Sequence, residues 1–252
     1  VRGVGFDNVT LDEAAAAVRE MTLAPSGCGA VFTPNAEIVQ LCIDDAEYRA
    51  VINSGALVIP DGIGVIKAAR ILGTPLKCKV PGIELGERAI KNAAEDKVPV
   101  YFLGGKPASG DTPAVAEIAA AKLSEKYPGL TVAGTHHGYF KKTGAENDAI
   151  VDEINKSGAK LLIVCLGFPT QERWCADNAA SLPNVRVMMA LGGSIDGYAG
   201  IAKRAPKIFI KLGLEWFYRL CREPKRIGRM MSLPKFYFGT WRYKLTTKKE
   251  RT

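Results

Sequence analysis

Short apolar runs alternate along this chain with longer stretches in which apolar residues recur at helical spacing. Residues 30–32, 56–59, 98–103, 130–133, 161–166 and 185–190 are nearly continuous in Val, Ile, Leu, Ala, Met and aromatics, as buried strands are. Between them, residues 11–21, 36–42, 63–71, 83–94, 113–126, 146–155 and 171–179 carry apolar positions three and four apart, which predicts helices. Alternation of this kind implies an α/β fold, a mainly parallel sheet flanked by helices in a Rossmann-like arrangement. No internal repeat or low-complexity linker interrupts it. At 252 residues and 47% apolar composition the chain can bury one large core. No stretch approaches the roughly 20 apolar residues that a membrane-spanning helix needs.

Charge divides the chain in two. Residues 203–252 hold 15 Lys or Arg against three Glu, a net of +12, whereas the whole chain carries only +8. Residues 1–202, the expected α/β catalytic core, therefore stand at −4, and the basicity is confined to a C-terminal appendage. Phe209, Leu212, Leu214, Trp216, Phe217, Tyr218, Leu220, Phe236, Tyr237, Phe238 and Trp241 are interleaved with those cations. A basic, amphipathic, helical segment of this kind fits an anionic bilayer surface, where each Lys or Arg contributes roughly 1 kcal/mol. The same apolar face gives a homo-oligomer off the membrane as another way to cover it. Nucleic acid is the competing partner for such a tail, but no helix-turn-helix, zinc-finger or RNA-binding signature accompanies it, so none is expected. The first thirty residues lack the charged start and apolar run of a signal peptide. The six cysteines show no paired spacing, which favours reduced thiols in the cytosol over disulfides or a zinc site.

Several predicted strands end in small or polar turn residues, the place where open parallel sheets bind ligands. The run 100–103 leads into Gly104 and Gly105, 163–166 into Gly167-Phe168-Pro169-Thr170-Gln171, and 188–191 into Gly192 and Gly193. Glycine there lets backbone N–H groups close on a phosphate, or else only makes a tight strand-to-helix turn; three such turns together favour a nucleotide or sugar nucleotide. None has the G-x-G-x-x-G spacing of a dinucleotide fold. Two earlier strands end in chemistry: Thr33 and Asn35 follow the run 31–32, and Asp61 sits between Pro60 and Gly62. A carboxylate beside a hydroxyl and an amide suits removal of a proton from a sugar alcohol. Equally, Thr, Asn and Asp cap helices, and the pattern alone leaves both readings standing. No D-x-D triplet is present to hold a divalent ion. Asp44-Asp45 and residues 146–148 come nearest, both in helical segments where a solvated face is expected.

The segments VFTPNAEIV (31–39), IPDGIGV (59–65), KVPGIEL (79–85), YFLGG (101–105), GTHHGYF (134–140), LGFPTQERW (166–174), LGGSIDGYAG (191–200), KRAP (203–206) and KLGLEWFYRLCREPKRIGRMMSLPKF (211–236) follow one another in a set order. Together they resemble the bacterial WecG/TagA/CpsF glycosyltransferase family over almost the whole chain. The resemblance implies an inverting transferase with no metal and no cofactor, working peripherally on the inner face of the cell membrane. Its donor would be a UDP-sugar and its acceptor an undecaprenyl-diphosphate-linked GlcNAc. UDP-N-acetylmannosamine is the implied donor, in wall teichoic acid linkage-unit synthesis, with UDP-N-acetylmannosaminuronate or UDP-glucose as alternatives.

Carried over residue by residue, the resemblance makes Asp61 the base and has Thr33 contact the reacting sugar with Asn35 beside it. It gives Gln171, Gly104, Gly105, Gly192 and Gly193 to the donor pocket, and brings Arg219, Arg226 and Arg229 of the appendage onto the diphosphate. Lys79 stands where many relatives have arginine; it keeps the charge without the bidentate fork.

Overall fold

A computed structural model of the chain describes residues 1–202, isolated positions between 206 and 221, and the helix 232–249, with side chains to 246. In chain order the described elements are α1 (Leu11–Leu23), β1 (Gly29–Phe32), α2 (Ala36–Asp44), α3 (Ala46–Asn53), β2 (Leu57–Val58) and α4 (Ile63–Leu72). Then come α5 (Gly82–Glu95), β3 (Val100–Gly104), α6 (Val115–Lys126), β4 (Val132–His136), α7 (Ala145–Ser157) and β5 (Leu161–Cys165). The described chain ends with α8 (Thr170–Asn178), β6 (Val187–Ala190), α9 (Ser194–Tyr198) and α10 (Ser232–Lys249).

The six strands form one parallel sheet in the order β2-β1-β6-β5-β3-β4. Because both faces are covered, the central strands are apolar at every position, as β5 is through Leu161-Leu162-Ile163-Val164-Cys165. Alternate side chains serve opposite layers. Leu161, Ile163, Val187 and Met189 pack with α1, α5, α6 and α9. Leu162, Val164, Met188 and Ala190 pack with α2, α3, α4, α7 and α8, and with Phe236 of α10.

Element starts follow local chemistry. Thr10 and Glu13 form a reciprocal capping box at α1. Asp45 ends α2 and caps α3 through its bond from the Tyr48 amide, 2.8 Å. One residue thus separates two helices, and α3 is an element that the hydrophobic pattern does not announce. The acidic pair Asp44-Asp45 is also not a bare solvated face: Asp44 meets Lys235 of α10 at 2.8 Å and Asp45 meets Arg173 at 2.7 Å. In α7, Asn147 is buried, accepting from the Trp174 indole (2.7 Å) and donating to Asn178 (2.9 Å).

The basic C-terminal segment is part of the packing at its far end. Helix α10 lies on α2 and α4, with Phe236 and Thr240 fully buried. Its opposite side exposes Phe238, Trp241 and Leu245, which share one helical face at spacings of three and four.

Candidate active site

All six strands point the same way, so the turns after them open along one edge of the sheet. The helix after β3, α6, lies in one layer and the helix after β5, α8, in the other. The same reversal separates α2 after β1 from α9 after β6. Such reversals between neighbouring strands open crevices for ligands at the carboxyl ends.

The corner at β1 and β2 gathers the residues with chemistry. Beyond Phe32 the chain runs through Thr33-Pro34-Asn35 into α2, and the Asp61 amide donates to the Pro34 carbonyl at 3.3 Å, joining the two polar turns. The Val80 amide donates to the Pro60 carbonyl at 2.9 Å, so the segment bearing Lys79 runs directly alongside the Asp61 turn. Gly82, which opens α5, lies so close to Thr33 that a Cβ there would come within 3.1 Å of its hydroxyl oxygen. The Thr33 hydroxyl donates to the Ala190 carbonyl at 3.3 Å and ties this corner to the end of β6. Thr33, Asn35, Asp61 and Lys79 are all half-buried here, beside the positive end of the α5 dipole.

The two turns differ in their N-caps. Asn35 is the N-cap of α2, its Oδ1 accepting from the amides of Glu37 (2.9 Å) and Ile38 (3.0 Å). Asp61 is not the N-cap of α4; that position falls to Gly62, whose φ is +96°. Nor is Thr33 an N-cap; its hydroxyl turns to β6 instead.

Gln171 sits at the next crevice, buried at 3% exposure. Its Oε1 accepts from the amides of Gly167 (3.2 Å) and Gly192 (2.9 Å), linking the turns after β5 and β6. The Gly192 N–H is therefore directed inward to this side chain. Gly193 next to it is exposed. The Gln171 Nε2 donates to Glu172 (2.8 Å), which also accepts from the Tyr48 hydroxyl (2.9 Å). Burial pushes the Glu172 carboxyl above its ordinary value, against the opposing pull of these bonds. It also pushes the Tyr48 hydroxyl up, with the Glu172 carboxylate adding to the effect.

Gly104, the last residue of β3, and Gly105 just after it lie farther along the edge, about 10 Å from β6 by two strand spacings. Close packing accounts for both. A Cβ on Gly104 (φ +143°) would fall 2.3 Å from the Cys165 carbonyl oxygen, and one on Gly105 (φ +73°) 2.7 Å from the Val115 Cβ. Arg219, Arg226 and Arg229 lie outside the described residues. Among the described residues no group of three or more His, Cys, Asp or Glu side chains is placed to hold a metal.

Residues 1–250 match the model of the Glycosyl transferase WecG/TagA/CpsF family. The chain belongs to that family. Two curated relatives, from Staphylococcus aureus (strain MRSA252) and Staphylococcus aureus (strain MW2), are each 34% identical over 252 residues, covering 100% of this chain and 95% of the relative. Both carry the name N-acetylglucosaminyldiphosphoundecaprenol N-acetyl-beta-D-mannosaminyltransferase. For a member of WecG/TagA/CpsF, a glycosyltransferase family, the corner bearing Thr33, Asp61 and Lys79 is a candidate place for the sugar. Glu172, bonded to Gln171 and Tyr48, and Gly82, packed against Thr33, are neighbours of the candidate residues that the sequence does not single out. For Glu172 a signal was present: helical spacing places Gln171 on the inward face with Trp174 and Cys175, and Glu172 lies three residues from Cys175.

Proposed function

We propose that this chain is an inverting, metal-independent glycosyltransferase that moves N-acetylmannosamine from UDP-N-acetylmannosamine to the 4-hydroxyl of N-acetylglucosamine on a diphospho-undecaprenol carrier. That step builds the linkage unit of wall teichoic acid. The observation that carries the reading is the likeness, over the full chain, to relatives named for this transfer. The corner geometry supports it, because backbone bonds bring the Asp61 turn against the turn after Thr33 and against the segment bearing Lys79.

In the proposed step the acceptor oxygen attacks the anomeric carbon from the face opposite the nucleotide. The bond from that carbon to the β-phosphate oxygen breaks, its electron pair leaves with UDP, and the hydroxyl proton passes to the Asp61 carboxylate. Thr33 orients the sugar. Asn35 lends its amide nitrogen from a position fixed by its own cap bonds. Lys79, the positive end of α5 and the arginines 219, 226 and 229 oppose the charge growing on the diphosphate. Gly193 and the neighbouring turns hold the donor.

The enzyme would work from the inner surface of the membrane, where its acceptor is anchored. No helix among the described residues is long and apolar enough to cross a membrane, and α10 displays an aromatic stripe instead. The test is incubation with a panel of UDP-sugars and a short-chain lipid-diphosphate-GlcNAc analogue, with mass analysis of the lipid and one arm in EDTA. Addition of one N-acetylhexosamine from UDP-N-acetylmannosamine, undiminished by EDTA, is expected. Transfer only from UDP-N-acetylmannosaminuronate or UDP-glucose would replace the donor, and strict dependence on magnesium would overturn the metal-free mechanism.

A further inference from the structure

Beneath the sheet edge lies a buried polar chain that begins on α3, far in sequence from the turns it reaches. Tyr48 donates its hydroxyl to Glu172 Oε2 at 2.9 Å, and Gln171 Nε2 donates to Glu172 Oε1 at 2.8 Å. Gln171 Oε1 then accepts from Gly167 and Gly192, the turns after β5 and β6. Glu172 is only 1% exposed. Its nearest cation in sequence, Arg173, pairs with Asp45 at 2.7 Å and lies over the Tyr48 ring, 5.6 Å from its centre. A carboxylate so deeply buried is costly unless its hydrogen bonds are complete, and apolar residues of similar volume are often at least as stable. Packing alone does not account for it.

The bond polarity supplies the reason. Two converging backbone N–H groups require the oxygen of Gln171, not its nitrogen, to face the turns. An amide is nearly symmetric in shape, so something must select that orientation. A pure acceptor on the far side does so, and Glu172 offers one oxygen to Gln171 and the other to Tyr48.

We infer that Glu172 is a positioning residue: held by Tyr48, it fixes the Gln171 amide so that the turns after β5 and β6 are latched together and present the donor-binding edge in one shape. This inference rests on the proposed transferase reading for its catalytic consequence. The latch itself is independent of what the site binds.

The experiment uses the full chain and three variants, Glu172→Gln, Tyr48→Phe and Gln171→Leu. Amide hydrogen exchange, resolved to Gly167 and Gly192, is measured alongside steady-state transfer from the UDP-sugar. Glu172→Gln gives the side chain one acceptor in place of two and lets the Gln171 amide turn over. The expected result is at least tenfold faster exchange at those two amides, with the central strands protected as before. The KM for the UDP-sugar is expected to rise about tenfold while that for the lipid acceptor stays within twofold. Tyr48→Phe, which preserves the ring, should give a smaller change in the same direction, and Gln171→Leu should match or exceed Glu172→Gln. Unchanged exchange at Gly167 and Gly192 in Glu172→Gln overturns the inference, as does a uniform loss of protection across the sheet, which marks a merely structural role. If wild-type protein transfers no sugar from any donor, the functional reading fails, and the exchange data still decide the latch.

Discussion

Asp61 and Asn35 stand in neighbouring turns and look alike as capping residues, yet only Asn35 takes an N-cap position. Asn35 closes the start of α2 through two bonds to its Oδ1, whereas the N-cap of α4 is Gly62, the residue after Asp61. With Asp61 as the proposed base, Asp61→Asn should keep the side chain's shape in a folded protein and lower kcat by about 10²–10⁴-fold, the span typical of a lost general base. Full turnover in that variant, measured with a purified lipid acceptor, would remove Asp61 from the chemistry. At Asn35 the expected pattern is the reverse for one substitution and the same for another. Asn35→Ala should lose about 1 kcal/mol of stability with the cap, read by chemical denaturation. Asn35→Asp should keep the cap and its stability but place a second carboxylate near Asp61, lowering transfer. The sequence could not separate these roles, because both depend on which backbone N–H groups lie within reach, a matter of turn geometry. Gln171 shows the same limit. The resemblance offered it to the donor pocket, but its use as an inward tie between two turns required the positions of Gly167 and Gly192.

Elements were easier to read than roles where burial was complete. The central strands of a parallel sheet are apolar on both faces, so β3, β5 and β6 stand out as continuous runs. Helix α3 was hidden because Asp45 alone divides it from α2, too short a break for any change in period. The docking of α10 was hidden for another reason. Its inward face is narrow, with Phe236 and Thr240 buried among exposed aromatics and cations, and the composition of the segment as a whole reads as one polar, greasy tail. Phe236→Ala tests how firmly this helix belongs to the core. Loss of a fully buried phenylalanine typically removes about 3–5 kcal/mol, and here the space left would open between α2, α4 and α10. The expected outcome is a lower denaturation midpoint together with early proteolytic cleavage near residue 232. An unchanged midpoint would mean that α10 rests on the core without stabilising it.

At the scale of the whole molecule, the two sides of α10 have different surroundings. One side joins the layer made by α2 and α4, and Lys235 reaches Asp44 across that seam. The other side exposes Phe238 (77%), Trp241 (52%) and Leu245 (63%), flanked by Arg242 and Lys244. Because α2 begins at Asn35 and α4 just after Asp61, the helices that carry α10 are the ones that start at the proposed catalytic corner. A bilayer pressed against the stripe would therefore be held at a fixed place relative to Asp61, which suits an acceptor whose reactive sugar is tethered to lipid. Full burial of a large apolar side chain contributes about 1.5–3 kcal/mol, so three partly inserted side chains far exceed what one surface cation adds. Replacing Phe238, Trp241 and Leu245 together by Ser should weaken binding to anionic vesicles by more than tenfold in a sedimentation assay. High salt should weaken what binding the triple variant keeps, because screening acts on the cations and not on the stripe. Transfer to a water-soluble, short-chain acceptor should persist in the triple variant, since none of the three side chains packs into the core. Equal loss of transfer with soluble and vesicle-borne acceptors would instead place the stripe inside the protein's own working assembly, against the segment 203–231 or a second copy of the chain.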